Sequence, residues 1–151
     1  MRQSKIKILI INGANLNMLG KREPHIYGTQ TLDDINAQIQ AAAPEDAELE
    51  FFQSNHEGEI IDKIHSADAD ALIINAGAHT HYSYAIYDAL KCISIPKYET
   101  HMSDIFKREE SFRHKSVLTP AVDEMFFGKG VISYIEAVFA AYNKVKKIKN
   151  D

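Results

Sequence analysis

The sequence predicts an α/β fold in which a five-stranded parallel sheet is covered by helices on both faces. Three observations carry that prediction. Short apolar runs alternate with stretches of helical periodicity, as strands joined by crossover helices require. The first run, Ile6 to Ile11, is rich in isoleucine, as expected of a strand buried on both faces. The chain has 151 residues, a length that suits one domain spanning 1–151 with a real core.

Each element has a local reason. After the first strand, "TLDDINAQIQAAA" places Leu32, Ile35 and Ile39 at helical spacing. Thr31 precedes them as an N-cap, with an acid three residues later, and Pro44 ends the pattern. Ala47–Gln53 reads as the second strand. "EGEIIDKIHSA" reads as a helix with Ile60, Ile61 and Ile64 inward. Ala71–Gly77 is a third strand ending in a glycine turn, and "HYSYAIYDALKC" a helix from His81 to Cys92. Ile93–His101 is a fourth strand, with Pro96 near its start where a missing N–H is tolerated. "VDEMFF" is a short fifth strand. A last helix covers about Val131 to Lys147, with Ile132, Ile135, Val138, Phe139 and Tyr142 on one side and a basic, solvated end. Alternation of this kind favours the strand order 2-1-3-4-5 of flavodoxin-like three-layer sandwiches, whose ligands collect at the carboxyl ends of the strands near the switch point.

The bulk composition excludes several partners. A net charge of −4 argues against nucleic acid and anionic membranes, which both reward a basic face. No apolar run approaches the roughly 20 residues that span a bilayer. No small-residue cleavage site follows the N-terminal "MRQSKIKILIING", and the single cysteine, Cys92, forms no internal disulfide. A cytoplasmic protein is expected.

Unusual polar residues fall at the predicted sheet edge. Asn12, Asn15, Arg22 and Tyr27 follow the first strand. Asn75, His79 and His81 follow the third. Glu99, His101 and Ser103 end the fourth, with Arg108 and Arg113 soon after. Taken singly, each has a plain reading: Tyr27 as an edge-packing aromatic, the asparagines as turn formers, His81 as a cap, the arginines as surface ion pairs. Their convergence on one edge makes the case for a pocket. Glu99 and His101 share one face of a strand, as suits a carboxylate orienting an imidazole. No P-loop, dinucleotide fingerprint or flavin phosphate loop is present. On the residues alone, three chemistries stay open: acid–base catalysis, a metal-dependent hydrolase using His79, His81 and His101, and a non-catalytic module that binds a small anion.

The segments "GANLNMLGKREPHIYG", "FFQSNHEGEIIDKI", "NAGAHTHYSYAIYDAL" and "ETHMSD…REESFRHKS" together resemble type II 3-dehydroquinate dehydratase, in order from the first strand to about Ser116 and more loosely beyond. The resemblance implies a lyase of the shikimate pathway or of quinate breakdown. It would remove water from 3-dehydroquinate without cofactor or metal, as a dodecamer built from trimers. It assigns Tyr27 as base, Arg22 as its support, Asn15 as the residue ordering water on the enolate oxygen, and His101 as general acid backed by Glu99. Asn75, His81, Met102, Ser103 and Arg113 would hold substrate, and Asp88 would reach a neighbouring subunit's site. Asp88 lies seven residues after His81, so on one helix the two would share a face. Three positions depart from the family pattern: Asp104 replaces an amide, "REESFR" is one residue longer, and His79 replaces a bulky apolar residue beside the expected pocket.

The chemistry suits those residues. A phenol has a pKa of about 10 and needs a nearby guanidinium to ionise near neutrality. An enolate oxygen needs a donor, and a departing hydroxide needs a proton. Gly13, Gly20 and Gly28 bracket and interrupt the first loop, which is expected to close as a lid over about 17–28.

Overall fold

The computed structural model describes residues 4–151; residues 1–3, which open the N-terminal stretch read above, lie outside them. Five parallel strands, β1 (Ile6–Asn12), β2 (Ala47–Gln53), β3 (Ala71–Asn75), β4 (Lys97–His101) and β5 (Glu124–Phe127), form one sheet in the order β2-β1-β3-β4-β5. Both the fold class and the strand order are those expected. Alternation along β1 divides the core. Ile8 and Ile10 face the cluster built with Ile35, Ile39, Tyr134 and Val138, and Leu9 and Ile11 face the one built with Ile60, Ile64, Ile86 and Leu90. Helices α2 (Leu32–Ala42) and α5 (Val131–Asn150) cover the first face, and α3 (Glu57–His65) and α4 (Tyr84–Lys91) the second. The short helix α1 (Pro24–Tyr27) belongs to the loop after β1.

The expected cap of α2 is a full capping box: Asp34 N donates to Thr31 Oγ1 at 3.1 Å, and Thr31 N to Asp34 Oδ2 at 3.0 Å. Three expectations need correction. α4 begins at Tyr84, because Ser83 caps it by accepting from Ile86 N at 3.0 Å, while His81 ends a separate 3₁₀ turn over Gly77–His81. His81 and Asp88 therefore do not share a helix. β4 begins only at Lys97, since Pro96 just before it carries no N–H and offers its carbonyl to Leu72 N. The inward face of α5 is also different. Ser133, Tyr134, Ala137, Val138, Ala141 and Val145 are buried, whereas Ile132 and Phe139 are 52% and 40% exposed. Both flanks of this helix are apolar, and the one carrying the small Ala137 and Ala141 packs against the sheet. Among the described residues, no helix is long and apolar enough to cross a membrane.

Candidate active site

At the carboxyl edge of the sheet, Asn12 of β1 is in register with Asn75 of β3, the two strands that flank the switch point. The chain leaves β1 through Gly13, where a Cβ would lie 2.2 Å from the Ala76 carbonyl oxygen, so only glycine fits. Asn15 takes a left-handed backbone (φ 69°), tolerated by asparagine, and its N–H donates to Asn55 Oδ1 at 2.8 Å. Leu16 and Leu19 are buried and pin the loop to the core. Pro24 starts α1 where its missing N–H costs nothing, and Gly28 (φ 79°) ends it. Tyr27 is thereby turned back toward the sheet.

The expected convergence is present. One pocket is lined by Asn15, Arg22 and Tyr27 from the first loop, Asn75 and His81 from the second, and His101, Met102, Ser103, Arg108 and Arg113 from the third. Glu99 stands behind His101, fully buried. Asp88 is exposed on α4 and does not line the pocket of its own chain.

Tyr27 is held by two arginines. Arg22 Cζ lies 5.1 Å from the phenol ring centroid, and Arg108 Nη1 donates to Tyr27 Oη at 2.6 Å. Arg22 thus flanks the ring, while the group that meets the oxygen is Arg108. Glu23 ties them together, its Oε2 3.5 Å from both Arg22 Nε and Arg108 Nη2. The sequence placed Arg108 among the residues converging on this edge, or in a surface ion pair, and gave it no role toward Tyr27. Its partner lies 81 residues away, and Arg22 stands much nearer in the chain.

Two imidazoles line the same pocket. His101 Nε2 donates to Glu99 Oε2 at 2.6 Å; Ser116 Oγ and Thr119 Oγ1 also donate to this carboxylate, at 2.6 and 2.7 Å. Burial pushes the Glu99 carboxyl up, but the His101 contact and the two hydroxyls outweigh it and hold the group below the ordinary carboxylate range. His101 is 5% exposed and keeps its Nδ1 free of the carboxylate. His81 Nδ1 donates to the Lys115 carbonyl at 2.7 Å. Burial, reinforced by the charges of His101 and Arg113, holds His81 below the usual imidazole range, against the raising effect of Lys115 and Glu99. Its neutral ring then offers Nε2 as an acceptor.

The departures find local explanations. The Asp104 side chain accepts from Phe106 N at 3.0 Å, capping a 3₁₀ turn, which an amide oxygen would do as well. The segment around Ser111 forms a 3₁₀ turn over Ser111–His114, and Arg113 lines the pocket, paired with Glu110 at 3.1 Å. His79 does not line the pocket; it is buried, with Tyr82 Oη 3.0 Å from its Nδ1. The metal reading loses that ligand, and among the described residues no group of three His, Cys, Asp or Glu side chains is disposed to hold a metal ion.

A phenol bonded to a guanidinium and an imidazole backed by a carboxylate, lining one pocket at the switch point of a parallel sheet, are the equipment of an α/β enzyme. Known proteins narrow this. The dehydroquinase class II family matches residues 6–142. The 3-dehydroquinate dehydratase of Caldicellulosiruptor bescii is 56% identical over 138 residues, 89% of this chain and 94% of that protein. That of Thermotoga petrophila is 47% identical over 95% of this chain and 99% of its own. The crystal structure of type II dehydroquinase from Butyrivibrio crossotus superposes with a TM-score of 0.85 at 44% identity, covering 91% of this chain and 98% of that one. The chain belongs to the class II dehydroquinase family.

Proposed function

We infer that the chain is a type II 3-dehydroquinate dehydratase, a hydro-lyase of the shikimate pathway that converts 3-dehydroquinate to 3-dehydroshikimate. The observation that carries the mechanism is the 2.6 Å bond from Arg108 Nη1 to Tyr27 Oη, in a pocket that His101, backed by Glu99, also lines. A guanidinium donating to the phenolic oxygen fixes that oxygen in the pocket with a charge-assisted bond, as the base of this reaction requires.

The steps follow from that pair. The Tyr27 phenolate takes a proton from the carbon beside the ketone, and the electrons of the broken C–H bond move to the ketone oxygen as an enolate. Asn15, held at the pocket mouth, supplies an amide donor to that oxygen directly or through water. The enolate then collapses, the C–O bond on the next carbon breaks, and His101 gives its proton to the leaving hydroxyl, which departs as water. Glu99 keeps the imidazole oriented and stabilises its charged form. Asn75, His81 and Arg113 are assigned to the ring hydroxyls, and Met102 and Ser103 to the carboxylate. The substrate carries no phosphate, so the loop after β1 needs no phosphate cradle.

The same proposal extends to the loop and the assembly. Gly20 (φ 92°) and Gly28 (φ 79°) flank the Arg22–Tyr27 segment, which supports a lid over about 17–28. Asp88 stands exposed on α4 near the exposed Tyr84, which supports its use in a neighbour's site within a trimer-based dodecamer. The direct test is to mix the purified protein with 3-dehydroquinate and follow the conjugated enone of the product in the ultraviolet. Absorbance should rise with time; a flat trace with authentic substrate refutes the assignment.

A further inference from the structure

Behind the pocket, on the core side of Asn75, lies a buried hydrogen-bond chain between side chains from three elements. Asn75 Nδ2 donates to Tyr134 Oη at 2.9 Å, and Tyr134 Oη donates to Asn12 Oδ1 at 2.5 Å. Tyr134 is fully buried in α5, Asn75 is 5% exposed and Asn12 is 1% exposed, so no solvent competes for these groups.

The direction of the chain is imposed from one end. A carboxamide can turn over and exchange its donor for its acceptor, but a backbone N–H cannot. Gly77 N donates to Asn75 Oδ1 at 3.2 Å. That contact commits the Asn75 oxygen to the Gly77 side, which commits its NH₂ to Tyr134. The tyrosine oxygen, now an acceptor, must send its own proton on to Asn12. Gly77 is itself fixed by sequence, with φ 64° and a Cβ position 2.5 Å from the Ala14 carbonyl oxygen. Burial also holds the Tyr134 hydroxyl far above the usual phenol range despite the opposing pull of the Asn75 bond, so it stays a donor.

We propose that Tyr134 is a positioning residue for substrate specificity: through this chain it locks the Asn75 carboxamide with one N–H inward to Tyr134 and the other N–H, not the oxygen, toward the pocket. Asn75 then serves an acceptor oxygen only, complementing the acceptor nitrogen that His81 presents. The identity of that oxygen, a ring hydroxyl of 3-dehydroquinate, rests on the dehydratase reading; the hydrogen-bond order does not.

Tyr134→Phe removes one oxygen and keeps the ring. A positioning role raises KM about five- to tenfold, the effect of one misplaced hydrogen bond, with kcat changed less than about threefold. In an Asn75→Ala background the same substitution adds less than about twofold, because its effect runs through Asn75. An equal penalty in both backgrounds, or none in the parent enzyme, overturns the proposal. A readout independent of activity is proton exchange of the Asn75 side-chain amide in ¹⁵N-labelled parent protein. One of its two protons exchanges slowly and the other fast; two fast protons overturn the chain even if Tyr134→Phe fails to fold. Absence of turnover in the parent enzyme with one slow proton present would refute the dehydratase reading and leave the hydrogen-bond order standing.

Discussion

Replacing Arg108 by alanine is the perturbation whose size the structure defines best. Its Nη1 is 2.6 Å from Tyr27 Oη, and only 8% of the side chain is exposed, so water does little to weaken the contact. A hydrogen bond from a cation contributes about 1.5–3 kcal/mol. If that contribution is made to the negative oxygen of the base, its loss slows proton removal by roughly 10- to 150-fold. Substrate binding should suffer less, since His81, Asn75 and Arg113 remain in place. Steady-state kinetics on Arg108→Ala, followed by enone absorbance, should show that loss mainly in kcat. A kcat within about threefold of the parent, or a loss confined to KM, would refute the view that Arg108 acts on the phenolic oxygen.

Two further outcomes follow from the geometry. Gly77→Ala should lower stability by roughly 2–4 kcal/mol, since it combines a left-handed φ with a backbone clash, and thermal unfolding should show a drop of about 5–15 °C; an unchanged melting temperature would contradict the strain. The Glu99 carboxyl titrates lower in the folded chain than in the unfolded one, so its contribution is full above the ordinary carboxylate range and is lost as pH falls through its depressed folded value. Glu99→Gln should therefore flatten the acid limb of the stability–pH profile, measured by denaturant unfolding between about pH 3 and 7; parallel profiles would count against it.

The fold was legible because its signals are local. Isoleucine-rich strands, the Thr31 cap and the Pro44 stop each act within a few residues, and strict alternation leaves few topologies. The pocket was legible as a set of strand ends, which is a matter of topology more than of side-chain direction. What escaped was long-range pairing. Arg108 and Tyr27, or Tyr134 and its two asparagines, meet only because the sheet brings distant segments together, the latter across 59 and 122 positions. Periodicity misassigned α5 because Ile132 and Phe139 mark an apolar stripe as convincing as the one that is buried. It misassigned the start of α4 because Ser83, a cap, stood inside a stretch that reads as continuous helix.

The central claim is that the Tyr27 oxygen removes the proton. Tyr27→Phe keeps the ring that Arg22 flanks and deletes only that oxygen. The predicted result is a fall in kcat of roughly a thousandfold with KM moved by less than about threefold. Turnover close to that of the parent enzyme would contradict it.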